Sequence, residues 1–262
     1  MAVEIRNNTN EQYHADTNVV SNSMLSVFLG DRFEDGIYDE DEYFARFVAR
    51  TKPSWRKQRY LDIGTAAHTA ALEPEKFAAE VATMPPYVKR RSGKMWQAFE
   101  AEHRGKVILQ RSELQAVMAM VSSLRAAAGT WLDADGFVEK SLYWKDPVTG
   151  LNLRARPDKV ICLGDMVLIV DLKTTHINTA REFSFSYRKY NYGIQDIHYR
   201  EAVKDWFGRD PLFRFLVVQS GGDYCARKFQ STEKQLQLSR DIRRRALDRL
   251  ADLYETKWRV AA

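Results

Sequence analysis

Asp158, Asp171 and Lys173 are the residues of this sequence whose types and spacing point most directly to chemistry. They sit in LNLRARPDKVICL (151–163) and MVLIVDLK (166–173), two β-rich runs on either side of Gly164-Asp165. A Gly-Asp pair suits a two-residue hairpin turn. With that turn Asp158 falls opposite Asp171, on one sheet face and ~5 Å away at Cβ. Lys173 shares the face of Asp171, because side chains along a strand alternate with period two. Two carboxylates brought together this way repel unless positive charge lies between them. A hard divalent cation supplies it, and Mg²⁺ binds through one or two carboxylates together with phosphate oxygens and waters. The adjacent ammonium can orient an attacking water or stabilise charge on a pentacovalent phosphorus. The chemistry assembled is metal-dependent phosphodiester hydrolysis.

The competing interpretation is an exposed Asp–Lys–Asp salt-bridge cluster. The flanking residues argue against exposure. Val167, Ile169 and Cys162 share the face of the cluster, while Leu168, Val170 and Leu172 occupy the other. Charges ending a strand that is apolar on both faces point to function.

The elements that must position these groups divide into two textures. Residues 1–130 read as mostly helical: GTAAHTAALEPE (64–75) forms one helix, and Ser112 with Gln115 gives a capping signature for another. From about 137 the pattern turns to strands. FVEKSLYW (137–144) alternates as one strand, DPVTG (146–150) is a turn, and FRFLVVQS (213–220) with YCARKFQ (224–230) forms a second hairpin. Thr179 with Glu182 caps a helix, YGIQDIHYREAVKDWF (192–207) is another, and Ser231 or Thr232 starts a long amphipathic helix ending near Trp258. The expectation is one domain over 1–262: a helical N-terminal elaboration, 1–130, and a mixed α/β catalytic core, 131–262.

Composition bounds the rest. Hydrophobic residues make up 45% of the 262, which is globular usage. No apolar run approaches the ~20 residues that span a bilayer, and MAVEIRNNTNEQYH lacks the layout of a secretion signal. Cys162 and Cys225 are the only cysteines, too few for a disulfide framework or a four-thiolate cluster. A cytoplasmic location, in a bacterial host or phage-infected cell, is expected. The +5 net charge mildly favours a polyanionic partner. Its distribution says more: 31–42 (DRFEDGIYDEDE) is acidic, while KRRSGK (89–94) and RDIRRRALDR (240–249) are basic.

The sequence also resembles a known family. Arg156-Pro157-Asp158 followed by Asp171-Leu172-Lys173 is similar to the PD-(D/E)XK nuclease motif. Gly64-Thr65-Ala66-Ala67-His68, continuing into Leu72-Glu73-Pro74-Glu75, resembles the histidine motif of RecE-type phage exonucleases and their RecB-like relatives. Glu139, the Thr149-Gly150 turn, and Tyr192-Gly193-Ile194-Gln195 with Tyr199 fall in the same family order. The resemblance implies a restriction-endonuclease-like core, a mixed central sheet flanked by helices. It further implies Mg²⁺-dependent 5′-to-3′ digestion of double-stranded DNA ends, leaving 3′ single strands for a RecT-type annealing protein. His68, Asp158, Asp171 and the Leu172 carbonyl would hold metal, two ions per site. Lys173 would act on the water, and Gln195 would hold that water or the substrate phosphate. One departure is visible: the family's Ser-Pro-x-x-Tyr after the first helix is replaced by the acidic GDRFEDGIYDEDEYF.

Other residues carry two readings. His68 alone on an alanine-rich helix would be a packed residue; with the Gly-x-x-x-His pattern it is a ligand, and as imidazole it also admits Mn²⁺. Glu139 is a strand-surface charge or a member of the cluster, depending on strand pairing. Gln195 and Tyr199, at i and i+4, share a helix face as a packed polar stripe or a supporting pair. Lys89, Arg90, Arg91 and Lys94, with Arg156, are candidate DNA-backbone contacts. The arginines of 240–249 serve either DNA or a subunit contact. A head-to-tail contact between 31–42 and 240–249 would close a ring of three or four copies. Two rival functions stand: an endonuclease with the same catalytic residues, and a non-catalytic DNA-binding or interaction module on a nuclease fold.

Overall fold

A computed structural model describes residues 3–31, 33, 36–53, 59–176 and 179–258. The chain opens with β1 (Glu4–Arg6), α1 (Asn10–Ala15), β2 (Val20–Ser21) and α2 (Asn22–Leu29). Next, α3 (Glu40–Tyr43) runs into a π-helical turn, Phe44–Val48. Then come α4 (Arg59–Leu72), α5 (Pro74–Glu80), β3 (Val81–Thr83), α6 (Lys94–Glu102), β4 (Val107–Leu109) and α7 (Arg111–Leu132). The remainder is β5 (Gly136–Val138), β6 (Ser141–Lys145), β7 (Asn152–Ala155), β8 (Lys159–Leu163) and β9 (Met166–Thr175). It continues through α8 (Ala180–Lys189), α9 (Tyr192–Phe207), β10 (Leu212–Gln219), β11 (Ala226–Phe229) and α10 (Glu233–Thr256).

The central sheet has the order β11-β10-β9-β8-β5, with β9 and β10 parallel and the other pairs antiparallel. The β8–β9 hairpin has the expected register, Lys159 pairing with Val170 and Leu163 with Met166 across Gly164-Asp165. Gly164 takes φ 62°, the positive value that the first central position of a type II′ turn requires. Strand β9 is buried on both faces. Val167 and Ile169 enter one core with α2, α9 and α10, while Leu168, Val170 and Leu172 enter another with α4 and α7. Helices thus flank a mixed sheet, the expected fold class.

A second sheet, β1-β6-β7-β2, corrects two sequence readings. The run 137–144 is not one strand: it breaks at Glu139, φ 48°, so that β5 belongs to the central sheet and β6 to the second. The run 151–163 breaks likewise at Arg156-Pro157-Asp158, between β7 and β8. Proline cannot donate to a ladder, so pairing stops there and the chain changes sheets. Among the described residues of 1–130 there are also four strands between the helices. Strand residues in β1 and β2 were illegible because two or three residues show no periodicity. The N-cap of α7 is Gln110, boxed with Glu113, two residues before the expected Ser112. Thr179 and Thr232 cap α8 and α10 through Glu182 N–H and Gln235 N–H.

Candidate active site and metal centre

The two chain crossings lie side by side, and that corner builds the site. Where β5 passes into β6, the Glu139 N–H donates to the Asp158 carbonyl (3.1 Å) at the passage from β7 into β8. Both carboxylates are therefore held where the sheets part. Asp158 Oδ2 accepts from the Leu172 N–H (2.6 Å), which fixes it against β9 in the absence of a ladder pair.

Helix α4 brings the imidazole. A Cβ on Gly64 would lie 3.1 Å from the Thr174 hydroxyl, so the glycine permits close approach of α4 to β9. One turn later His68 Nδ1 stands 3.7 Å from Asp158 Oδ2. Ala66, Ala67, Ala70 and Ala71 bury against the far core and keep the helix close. His68, Glu139 and Asp158 offer ligand atoms within 4.8 Å of one another. The Leu172 carbonyl faces the His68 ring as a hydrogen-bond acceptor.

Asp171 is fully buried on the next position of the cluster face. Its Oδ1 accepts from Gln195 Nε2 (2.7 Å), and its Oδ2 pairs with Lys173 Nζ at 2.5 Å. Lys173 rests over the Tyr192 ring, 5.1 Å from its centroid. Tyr199 is buried one turn beyond Gln195 on α9, near both aspartates.

Electrostatics follow from burial. Desolvation raises Asp171 to about 7, against the lowering effect of Lys173, with Asp158 adding repulsion. Burial also raises Asp158 and, with help from the Asp158 charge, Glu139. Burial lowers His68, which stays neutral and able to donate a lone pair. For Lys173, burial acts downward, but Asp171 and Asp158 outweigh it and its pKa is raised, so it remains an ammonium. Three crowded, desolvated carboxylates beside a neutral imidazole are the donor set of a hard divalent cation. The group opens onto a cleft of ≈ 1090 Å³.

Glu139, undecided from the sequence, is thus brought into the cluster; its signal was positional, one residue before the sheet change. Two candidate DNA contacts have partners within the chain, and Arg156 also lines the cleft. Arg156 is buried and donates to Ser141 Oγ (3.1 Å) and the Asn8 carbonyl (2.5 Å), with its guanidinium over Tyr13. It fastens the N-terminal segment to the corner. Arg91 is held by Glu113 (2.8 Å) and the Ile108 carbonyl. Lys89, Arg90 and Lys94 are exposed. The arginine-rich helix also finds partners within the chain: Arg244 with Asp146, Arg243 with Glu201 and His198, Arg249 with Glu40. Of the acidic segment 31–42, Arg32, Glu34 and Asp35 lie outside the described residues.

A mixed sheet flanked by helices, carrying paired acids and a lysine at the end of a central hairpin, defines the PD-(D/E)XK nuclease fold. The chain belongs to the family described as a PDDEXK-like domain of unknown function (DUF3799), whose match spans residues 39–259. Among solved structures it is similar to a Eubacterium rectale protein provisionally named an exonuclease. The TM-score is 0.62 at 13% identity, over 94% of this chain and 87% of the other. The structure of SSO0001 overlaps at TM-score 0.31 and 11% identity, covering 77% of this chain and 88% of that one, a likeness too weak to argue from. No protein of curated function matches the sequence. Among the described residues no helix is long and apolar enough to cross a membrane.

Proposed function

We propose that this chain is a divalent-metal-dependent exonuclease acting on double-stranded DNA ends. The observation that carries the reading is the convergence of His68, Glu139 and Asp158, their ligand atoms within 4.8 Å of one another, beside the Asp171–Lys173 ion pair. His68, Glu139, Asp158, Asp171 and the Leu172 carbonyl are the groups that would hold Mg²⁺ or Mn²⁺. Bound there, the metal would supply Lewis-acid polarisation of a phosphate oxygen and a lowered pKa for a coordinated water. Lys173 keeps its proton, so its Nζ–H groups orient the attacking water and stabilise negative charge growing on phosphorus. Gln195 fixes the Asp171 carboxylate through Oδ1, leaving Oδ2 to Lys173. Neutral His68 contributes a lone pair without adding charge.

The 5′-to-3′ polarity, the 3′ single-stranded product and its delivery to an annealing recombinase rest on the RecE-type resemblance. The provisional exonuclease name of the Eubacterium rectale protein agrees with end-directed cleavage. A ring of three or four copies would hold such an enzyme on one duplex, since a closed ring resists dissociation without base-specific contacts. End-labelled linear duplex and covalently closed circles, each incubated with Mg²⁺, test the reading. Release of label from the linear substrate with intact circles is expected, and digestion should stop in EDTA or with Ca²⁺. Nicked circles would transfer the assignment to an endonuclease; undiminished digestion in excess EDTA would remove the metal.

A further inference from the structure

A second cleft, ≈ 460 Å³, shares Gly64, Lys173, Thr174, Tyr190 and Tyr192 with the first, whereas His68 lines the first but not the second. It opens at the carboxyl ends of the parallel strands β9 and β10, the crevice where open α/β sheets receive ligands. Its walls divide by chemistry. Thr174, Thr175, Ser186 and Ser220 line it with hydroxyls, and Tyr190 and Tyr192 line it with rings.

Tyr190 is held near the surface, with the Lys189 ammonium 5.2 Å from its ring centroid. Its side chain is 52% exposed, against a half-buried Tyr192 tilted 30° from it at 5.8 Å. The position is nonetheless fixed. Tyr190 is the C-cap of α8, its N–H donating to the Ser186 carbonyl, and Asn191 at φ 54° turns the chain at once into α9. An exposed aromatic held at a rigid corner, one ring away from the Lys173 ammonium, is a preorganised stacking platform.

We propose that this cleft is a nucleotide subsite, in which the nucleotide beside the scissile phosphate leaves its pair and stacks its base on Tyr190. The volume lies in the lower half of the ~300–1,000 Å³ range of ligand sites, enough for one nucleotide. The phosphate of that nucleotide reaches Lys173, its sugar meets the Thr174 and Ser220 hydroxyls, and its base meets the two tyrosines. Because every base has a π-face, such a site is indifferent to sequence, as an enzyme advancing along a strand requires. The proposal rests on the nuclease reading and adds to it that the end is unpaired before cleavage.

The test is fluorescence anisotropy of a labelled single-stranded oligonucleotide on Asp171→Asn protein, with cleavage by the unmodified chain measured in parallel. Tyr190→Ala should weaken binding ~10-fold or more, while Tyr190→Phe and Tyr190→Trp keep it, because ring stacking and not the hydroxyl is at stake. An abasic position scanned along the oligonucleotide should at one site cost the Tyr190 protein as much and cost Tyr190→Ala nothing further. Equal affinity of Tyr190→Ala, or abasic losses that simply add, would overturn the subsite. If the unmodified chain cleaves DNA while Tyr190 is indifferent, only the subsite falls. If it neither binds nor cleaves DNA, the nuclease reading falls with it.

Discussion

Glu139 donates its backbone N–H to the carbonyl of Asp158 while its own φ stands at 48°. A non-glycine residue in that region is strained by ~1–2 kcal/mol, and here the strain coincides with the sheet crossing that presents the carboxylate. Glu139→Gly should therefore raise stability by about 1 kcal/mol and reduce cleavage at least tenfold. Glu139→Gln should reduce cleavage similarly without the backbone gain. Urea denaturation and turnover of linear duplex measure both. A glycine variant that is less stable than the parent would show that the crossing is unstrained.

The Gly64–Thr174 approach separates a small perturbation from a large one. A methyl at Gly64 meets the Thr174 hydroxyl at 3.1 Å, a contact that side-chain rotation relieves. Helix propensity favours alanine there by roughly 1 kcal/mol, so Gly64→Ala should be neutral or mildly stabilising and remain active. Gly64→Val must lift α4 from β9 and carry His68 away from Asp158. We expect Mn²⁺ affinity, read by calorimetry, to fall more than tenfold in the valine variant alone. Equal loss in both would mean that the position tolerates no side chain.

The β8–β9 hairpin was legible because alternation and a Gly-Asp turn are local signals. They placed Asp158 near Asp171 and put Lys173 on the same face. The helix at 192–207 was legible as an element, but Gln195 was singled out on it through the family resemblance. Glu139 could not be assigned, since its place depends on β5 and β6 joining different sheets, a long-range outcome that no window of sequence encodes. Arg156, a candidate DNA contact, lines the cleft, but its hydrogen-bond partners were not legible. Its partners, the carbonyls of Asn8 and Thr9, come from the other end of the chain.

Burial of Asp171 makes the metal-free protein pH-sensitive. A carboxyl raised from its ordinary value to about 7 favours the folded state fully below the unfolded pKa near ~4, and that contribution is lost as pH rises through 7. Asp171→Asn lacks this loss. In EDTA, its stability relative to the parent should increase from about pH 5 to about pH 8. Metal binding must also displace a proton in this window, so Mn²⁺ affinity of the parent should strengthen with pH up to about 7 and then level. Denaturation curves that run parallel at all pH values would contradict the burial argument.

Lys173 should tolerate no neutral substitute. It is the ammonium that both aspartates face, and Lys173→Ala or Lys173→Met would leave Asp171 buried without its ion-pair partner. Cleavage should be abolished by either change, whereas circular dichroism should retain the folded spectrum, because Asp171 can take up a proton. Lys173→Arg keeps charge but not the compact Nζ geometry and should also lose most activity. Near-full turnover by Lys173→Ala would assign the catalytic role to another group.

Assembly is the last expectation, and the charge pattern constrains it. An end-directed enzyme that stays bound to its strand gains from a closed ring of copies around the duplex. The simplest closure joined the acidic segment 31–42 to the arginines of 240–249 in a neighbouring copy. In the folded chain, however, Glu40 already accepts from Arg249 at 2.7 Å and pairs with Lys257 at 3.3 Å. These are partly exposed pairs worth about 1 kcal/mol or less each. Glu40→Ala and Arg249→Ala should accordingly cost little stability and leave the molecular mass unchanged, while light scattering of the parent gives three or four times 30.4 kDa. If either substitution halved the mass or released monomers, the pair would instead lie at the subunit contact. A monomeric parent with distributive digestion would remove the ring altogether.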